Sequence, residues 1–212
     1  MSKKLLDFAA RIGLTLQPNQ ADALCQYAQL VWQKKNLLNL TSAADLEEVI
    51  LRHICDGLQG ASQACQFYPR ETYSIMDAGA GAGYIGLTMA IALPQAQITL
   101  VESIEKRCAF MNWVLLKLGL KNARIKNLRL GEQKELQADL VTERAMGQLP
   151  DILGICAGAV KPGGIFMAYQ GEKSQAATVS TEKYHLKFIQ EISYSLPADT
   201  KTRHLAFFKK NV

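Results

Sequence analysis

A glycine-rich turn restricts the fold of this chain more than any other feature of its sequence. A short strand-like segment, 73–76, is followed by Asp77, after which three glycines alternate with alanines, at Gly79, Gly81 and Gly83. An apolar run of helical length follows over 85–93, and a second strand-like run over 98–101 ends in Glu102. This order of strand, glycine turn, helix and acidic strand end is typical of half a nucleotide-binding α/β fold.

Asp77 favours one kind of nucleotide for this turn. The glycines satisfy DxGxGxG, the usual pattern of S-adenosylmethionine (SAM) methyltransferases, but the run from Gly81 also satisfies GxGxxG, the dinucleotide pattern. A carboxylate two residues before the first glycine attracts an ammonium group and repels a pyrophosphate. Because methionine carries the ammonium group and NAD the pyrophosphate, the sequence favours SAM. A turn without a ligand is disfavoured, since three glycines cost backbone entropy.

Length and composition indicate an ordinary enzyme with one main core. The chain has 212 residues, of which 49% are hydrophobic and 20% charged. No apolar run approaches the ~20 residues of a membrane span, and the amino terminus lacks a signal-peptide pattern, so we expect a cytoplasmic protein. Five scattered cysteines and three histidines predict neither a disulfide framework nor a metal site. The net charge of +5 mildly favours an anionic partner.

The chain is predicted to divide into an N-terminal helical cap, residues 1–70, and a SAM-binding domain, residues 71–212. In the cap, apolar residues at helical spacing predict helices over 19–32 and 46–58. The expected N-cap of the second helix is a hydroxyl residue of the preceding turn, either Thr41 or Ser42.

Strands and helices are predicted to alternate in the second part. In chain order they are strand 73–77, helix 84–93, strand 97–102, helix 104–118, strand 123–128, strand 139–142, helix 148–160 and strand 164–169. Alternation predicts a doubly wound, mostly parallel sheet. The segment VKPGG, 160–164, is predicted to be a turn, and 186–195 and 203–209 lack an intervening helix. These last two segments predict a C-terminal antiparallel hairpin.

Several separated stretches resemble one protein family. They are WQKKNLLNLTS at 32–42, LRHICDGL at 51–58, DAGAGAGYIGLTMAIALP at 77–94, LVESIEKRCAFM at 100–111, LGLKNARI at 118–125, TERAM at 142–146 and RHLAFFKK at 203–210. Over nearly its whole length the chain is similar to the RsmG (GidB) family, and NLTS, RHxxD and ERA are the family-specific elements. The resemblance implies a Rossmann-like class I SAM-dependent methyltransferase that methylates N7 of a guanine in 16S ribosomal RNA.

The glycine motif and the resemblance together predict the cofactor contacts. The backbone of Gly79 and Gly81 is expected beside the methionine part of SAM, with Asp77 near its ammonium group. Glu102 is expected to bind the ribose hydroxyls; the alternative is a carboxylate that only stabilises the following helix. The other predicted cofactor residues are Tyr84, at the helix start, and Leu130 and Gly131, after the third strand.

Arg144 is the predicted catalytic residue. Guanine N7 has a free lone pair, so methyl transfer needs positioning of the base and no general base. The resemblance places an arginine at the carboxyl end of the fourth strand, where ligands of doubly wound sheets bind. There Arg144 is expected to contact the guanine O6 edge or the methionine carboxylate. The alternative is a surface salt bridge with Glu143.

The expected partner is 16S rRNA or the 30S subunit, bound by a monomer without metal or membrane. The predicted substrate-binding residues are Arg52, His53, Gln170, Arg203 and His204. His53 also fits a buried structural histidine. The chain departs from the family at Gln170, which replaces a lysine, and this departure suggests a divergent or noncatalytic relative. Together with the GxGxxG pattern from Gly81, it leaves other functions open. They are methylation of another RNA or of a small molecule, an NAD-dependent oxidoreductase, and a noncatalytic RNA-binding relative.

Overall fold

The computed structural model describes residues 1–69, 72–132, 136–197 and 199–212. Its helices are α1 (Ser2–Arg11), α2 (Pro18–Leu38), α3 (Leu46–Glu48), α4 (Cys55–Phe67), α5 (Gly86–Ala92), α6 (Glu105–Leu118) and α7 (Leu149–Ala159), with a π-helical turn at Val49–Ile54 and a 3-10 turn at Glu182–Tyr184. Its strands are β1 (Ser74–Ala78), β2 (Gln97–Glu102), β3 (Ala123–Asn127), β4 (Ala138–Glu143), β5 (Val160–Gln170), β6 (Leu186–Tyr194) and β7 (Arg203–Lys210).

The seven strands form one sheet in the order β3-β2-β1-β4-β5-β7-β6. Strands β1 to β5 are parallel to one another, whereas β7 is antiparallel to both β5 and β6. The predicted class I methyltransferase fold, a mostly parallel sheet with a closing antiparallel hairpin, is therefore confirmed. The strand order reverses between β1 and β4, and ligands of such sheets bind at the carboxyl ends of the strands beside this point.

Alternate residues of the central strands face two different hydrophobic clusters. Ile75 and Leu140 belong to the cluster that contains the N-terminal helices, α5 and α6. Their chain neighbours Met76 and Val141 belong to the cluster formed with α7. Because successive side chains of a strand point to opposite faces, the sheet is covered on both sides. This double coverage explains the nearly continuous apolar runs of the sequence.

The N-terminal helices pack directly against the sheet. Leu5, Tyr27 and Leu58 are fully buried and share one core with Leu100 and Phe207. The predicted boundary falls at residues 70 and 71, which lie outside the described residues, and the division into two domains stays a prediction. Among the helices of the described ranges, none has the length and apolar character of a bilayer-spanning segment.

The N-terminal part differs from the sequence analysis in three places. Helix α1 was not predicted, although Leu5 and Phe8 are buried on one of its faces. Helix α2 continues beyond Trp32 to Leu38. The N-cap of α3 is Asp45, whose side chain accepts from the Glu48 N–H at 2.7 Å, rather than Thr41 or Ser42. Asp45 caps because its carboxylate lies three residues before that N–H, at the start of an acidic first turn.

The segment predicted to be the turn 160–164 belongs to strand β5. Val160 pairs with Ala138, and the register then jumps so that Ile165 pairs with Leu140. The residues between form a bulge, in which Gly163 has a φ of 77°. A bulge adds unpaired residues to one strand without ending it, which explains why the Pro-Gly-Gly signal suggested a turn.

Candidate active site

Two cavities adjoin the glycine turn at the carboxyl ends of β1, β2 and β4, and a third lies beside them at the ends of β5 and β6. The Tyr84 cavity has a volume of about 340 Å³ and is lined by Thr41, His53, Asp77, Gly81, Tyr84, Arg107 and Arg144, among others. The Glu102 cavity, of about 280 Å³, is lined by Glu102, Leu130, Met146 and Ile155. The Gln170 cavity, of about 390 Å³, is lined by Asp56, Arg144, Tyr169, Gln170, Lys173, Tyr194 and Arg203. Gly79 lines both the Tyr84 and the Glu102 cavities, whereas Arg144 lines both the Tyr84 and the Gln170 cavities.

The glycine turn adopts backbone conformations with positive φ, which residues with a Cβ rarely adopt. Gly79, Gly81 and Gly83 have φ values of 65°, 61° and 86°. A Cβ on Gly83 would come within 2.6 Å of Leu87, whereas a Cβ on Gly81 would meet only the Gly79 carbonyl at 3.9 Å. Gly81 thus leaves its backbone open to the Tyr84 cavity, and a ligand can approach it closely.

Glu102 connects the glycine turn to the end of β2. Its Oε2 accepts a hydrogen bond from the Gly81 N–H at 2.9 Å, and its Oε1 accepts one from the Ile104 N–H at 2.8 Å. The Arg107 guanidinium lies 3.7 Å from Oε2. A carboxylate has about four lone-pair sites, so these contacts leave acceptor capacity toward the Glu102 cavity. The position fits both the helix-stabilising and the ligand-binding interpretation of this residue.

Asp77 is buried beneath the turn with few compensating contacts. Its Oδ2 accepts a hydrogen bond from the Gly86 N–H at 2.7 Å. Burial raises its pKa to about 7, although the Gly86 hydrogen bond and the positive charge of Arg144 both oppose the shift. Burial also raises the pKa of Glu143, at the end of β4, to about 7. Both carboxyls therefore change charge most readily near neutral pH.

Arg144 lies between two cavities and pairs with a buried carboxylate. Its Nη1 donates to Asp56 Oδ2 at 2.8 Å, and its guanidinium lies 5.4 Å from the centre of the Tyr84 ring. The predicted alternative, a surface pair with Glu143, was wrong, because the carboxylate that Arg144 reaches belongs to α4. Burial disfavours the charge on Arg144, but the ion pair with Asp56 outweighs it and raises the pKa of the guanidinium.

The Gln170 cavity contains two of the predicted substrate residues. Gln170 Nε2 donates to the Tyr169 carbonyl at 3.0 Å. Arg203 pairs with Asp199 at 2.8 Å and lies 3.6 Å from Asp56, but its buried Nε has no hydrogen-bond partner among the described residues. A buried donor without an acceptor is costly. Because this Nε has almost no accessible surface, a ligand in the cavity would meet other atoms of the Arg203 guanidinium.

His53 lines the Tyr84 cavity. Its ring stacks on Tyr84, with centroids 4.3 Å apart, and its Nε2 lies 3.2 Å from Thr41 Oγ1. Burial, with the charges of Arg144 and Arg52, lowers the pKa of His53 to about 3, so the ring is neutral at pH 7. Both the substrate-binding and the structural interpretation of His53 remain consistent with this environment.

The remaining predicted site residues are farther from the cavities. Arg52 pairs with Glu48 at 2.9 Å on a partly exposed surface. His204 Nδ1 lies 3.2 Å from Glu191 Oε1, and its side chain lies on the opposite face of β7 from Arg203, because strand residues alternate. Gly131 lies in an apolar cavity that adjoins the Glu102 cavity. In the described ranges, no cluster of three or more His, Cys, Asp or Glu side chains is arranged to hold a metal ion.

Sequence analysis did not assign Asp56, Tyr169 or Tyr194 to the site. Asp56 is the acidic residue of the RHxxD element, so its spacing from His53 was the only signal available. The two tyrosines lie at the ends of β5 and β6, and they reach the cavity because β7 brings those strand ends together.

Comparison with known proteins gives a consistent result over almost the whole chain. The family model for rRNA small subunit methyltransferase G (GidB) matches residues 20–206. The ribosomal RNA small subunit methyltransferase G of Acetivibrio thermocellus is 28% identical over 218 residues, which cover 99% of this chain and 88% of that protein. The protein of the same name from Limosilactobacillus reuteri is 30% identical over 93% of this chain and 86% of its own length.

Solved structures share the fold at low sequence identity. A methyltransferase from Pyrococcus furiosus has a TM-score of 0.59 at 17% identity, with coverage of 88% of this chain and 98% of that chain. TYW2 from M. jannaschii, solved in complex with AdoMet, has a TM-score of 0.55 at 15% identity, with coverage of 74% and 76%. These likenesses concern the fold alone, whereas the family model extends over most of the sequence. The chain belongs to the rRNA small subunit methyltransferase G (GidB) family.

Proposed function

We propose that this protein transfers a methyl group from SAM to N7 of a guanine in the 16S rRNA of the small ribosomal subunit. The observation that carries the proposal is the position of Arg144, which lines both the cavity at the glycine turn and the Gln170 cavity. The first cavity suits a cofactor and the second suits a base, so Arg144 stands where the two reactants would meet. We expect the protein to act as a monomer in the cytoplasm, with no metal.

The residues around the turn fit SAM. Gly79, Gly81 and the Asp77 carboxyl line the same cavity, and the space beside the Gly81 backbone is open. In the Glu102 cavity the carboxylate is suited to ribose hydroxyls, while Leu130 and Ile155 offer apolar surface to adenine. Tyr84 would border the methionine part, and Gly131 would lie beyond the adenine. When bound, SAM supplies an electrophilic methyl group on its sulfonium.

The residues of the Gln170 cavity are suited to orienting a purine. Guanine presents acceptors at O6 and N7, and a guanidinium can donate two parallel hydrogen bonds to such an edge. N7 must keep its lone pair free in order to react. We therefore propose that Arg144 donates a hydrogen bond to O6 only, and that its side chain also excludes water from the site. Arg203, with its guanidinium, and Gln170, with its amide, line the same cavity and would supply further polar contacts. We propose that Arg52, His53 and His204 contact the RNA outside this cavity.

No acid–base catalyst is needed for this reaction. The N7 lone pair attacks directly, and positioning of reactants contributes up to about 7–11 kcal/mol in favourable cases. His53, with its pKa lowered to about 3, is compatible with this mechanism because so weak a base does not take up a proton at pH 7.

The test of the proposal is the N7-methylguanine content of 16S rRNA in cells that contain or lack the gene. We expect one methylated guanine to be lost with the gene and restored by the wild-type chain, but not by Arg144→Ala. Unchanged N7-methylguanine in the deletion strain would contradict the proposal. If the Arg144→Ala variant also restores N7-methylguanine, the proposed reaction stands but Arg144 is not part of the active site.

A further inference from the structure

Asp56 connects four separate parts of the molecule at the edge of the Gln170 cavity. Its carboxylate is fully buried and belongs to helix α4. Oδ2 accepts from Arg144 at 2.8 Å, and Oδ1 accepts from the Tyr194 hydroxyl. The Arg203 guanidinium lies 3.6 Å from Oδ2, and the Tyr169 hydroxyl donates to the Asp56 carbonyl at 3.1 Å. These partners lie at the ends of β4, β6, β7 and β5.

Arg144 relies on the Asp56 carboxylate as its ion-pair partner more than Arg203 does. Among the described residues, Asp56 is the only carboxylate within ion-pair distance of Arg144, whereas Arg203 also pairs with Asp199. A buried ion pair confers geometric specificity more surely than stability, because desolvation offsets most of the Coulomb gain. The carboxylate therefore determines where the Arg144 guanidinium stands between the two cavities.

We infer that Asp56 is a positioning residue for methyl transfer, which acts through Arg144 and does not itself contact the substrate. The inference rests on the proposed function. Both carboxylate oxygens are already engaged by protein donors, so the residue has little capacity left for a ligand. Since α4 belongs to the N-terminal helices, that part of the chain completes the substrate side of the site.

A double-mutant cycle distinguishes positioning from general support of the fold. We would measure kcat and KM with 30S subunits, SAM affinity by calorimetry and the melting temperature for Asp56→Asn, Arg144→Ala and the double variant. Asp56→Asn should lower kcat/KM by about tenfold or more. In the Arg144→Ala background the same substitution should lower it by less than about threefold, because the residue through which it acts is gone.

Asp139→Asn is the matched control. Asp139 is a partly buried carboxylate paired with Lys161 at 2.9 Å, at the opposite ends of the strands. This variant should retain the kcat/KM of the wild type. If Asp56→Asn does not fold, Tyr194→Phe keeps the anion but releases one of its oxygens, and it should lower kcat with little change in SAM affinity.

Three outcomes would overturn the inference. They are equal losses from Asp56→Asn in both backgrounds, activity in Asp56→Asn as high as in Asp139→Asn, and, where Asp56→Asn does not fold, full activity in Tyr194→Phe. A wild-type protein that transfers no methyl group to 30S subunits would contradict the proposed function instead, so the two failures are distinguishable.

Discussion

At the scale of single residues, two buried carboxylates of the site accept hydrogen bonds from backbone N–H groups. Asp77 accepts from the Gly86 N–H and Glu102 from the Gly81 N–H, so each carboxylate fixes the turn that it faces. Asp77 differs from Glu102 because burial raises its pKa to about 7. In the SAM-free protein, the ammonium group of the cofactor is absent. The negative charge of Asp77 then destabilises the folded state at and above neutral pH, because Arg144 offsets its burial only in part.

Asp77→Asn should stabilise the SAM-free protein and weaken SAM binding. The folded pKa of about 7 lies above the unfolded value near 3.9, so the folded state binds more protons between these values and stability falls as pH rises through them. Asparagine keeps an acceptor for the Gly86 N–H but has no charge. Its free energy of unfolding should exceed that of the wild type by roughly 1–3 kcal/mol near pH 8 and by little near pH 4.

Urea unfolding at the two pH values, with calorimetry of SAM binding, checks this prediction. SAM affinity should fall by about tenfold in the variant, since a charge-assisted contact to the ammonium group is lost. A variant that is less stable than the wild type near pH 8, or that binds SAM equally well, would remove Asp77 from its assigned role.

Gln170→Lys should tighten binding to 30S subunits and make it more dependent on salt. Gln170 lines a cavity with Arg144, Lys173 and Arg203, and if the lysine of the family contacts an RNA phosphate at the edge of this cavity, the substitution restores that ionic contact. The slope of log affinity against log salt should steepen by about one unit. A lower turnover with an unchanged slope would mean that the amide reads a base edge, and no change in either would place position 170 outside the substrate contact.

At the scale of elements, close approach of helices decides which glycines are irreplaceable. Gly57 of α4 lies against α5, where a Cβ would come within 2.7 Å of the Tyr84 carbonyl and of Thr88. Gly57→Ala should therefore lower the free energy of unfolding by about 1–3 kcal/mol, because backbone has to move. The matched control is Gly158→Ala in α7, where the added Cβ has nothing within 4 Å. It should be neutral or stabilising by up to about 1 kcal/mol, and equal effects of the two substitutions in urea unfolding would contradict this account.

The elements predicted from the sequence are those that local patterns determine. The parallel strands and the glycine turn were predicted because buried strands are apolar throughout and a left-handed turn needs glycine. Helix α1 and the Asp45 cap were missed although both have local signals, the helical spacing of Leu5 and Phe8 and the Asp-x-x-Glu pattern from Asp45 to Glu48. The β5 bulge was not predicted, because pairing with β4 determines it. In the site, the Asp77 and Glu102 motifs are local, whereas Asp56 meets Arg144 across 88 residues of sequence, and no spacing rule predicts that pair.

At the scale of the whole molecule, the N-terminal helices and the sheet share one core, so ligand binding should stabilise the chain as a unit. SAM should raise the melting temperature in proportion to RT ln(1 + [SAM]/Kd), whereas NAD should not. Gly81→Val should abolish the shift, because a β-branched residue is strained at a φ of 61° and its side chain would project into the Tyr84 cavity. A melting temperature that NAD raises and SAM does not would contradict the cofactor assignment.

The most direct test of the central claim is methyl transfer by the purified protein. Wild-type protein and Arg144→Ala would each be incubated with radiolabelled SAM and 30S subunits from cells that lack the gene, and the labelled nucleoside would be identified. We predict that the wild type labels N7 of one guanine in 16S rRNA, and that Arg144→Ala reduces kcat/KM by roughly two orders of magnitude at a temperature where the variant is still folded. Its melting temperature should also fall, because the buried Asp56 carboxylate loses its closest ion-pair partner. Label at another atom or in another RNA, or no label at all, would contradict the account.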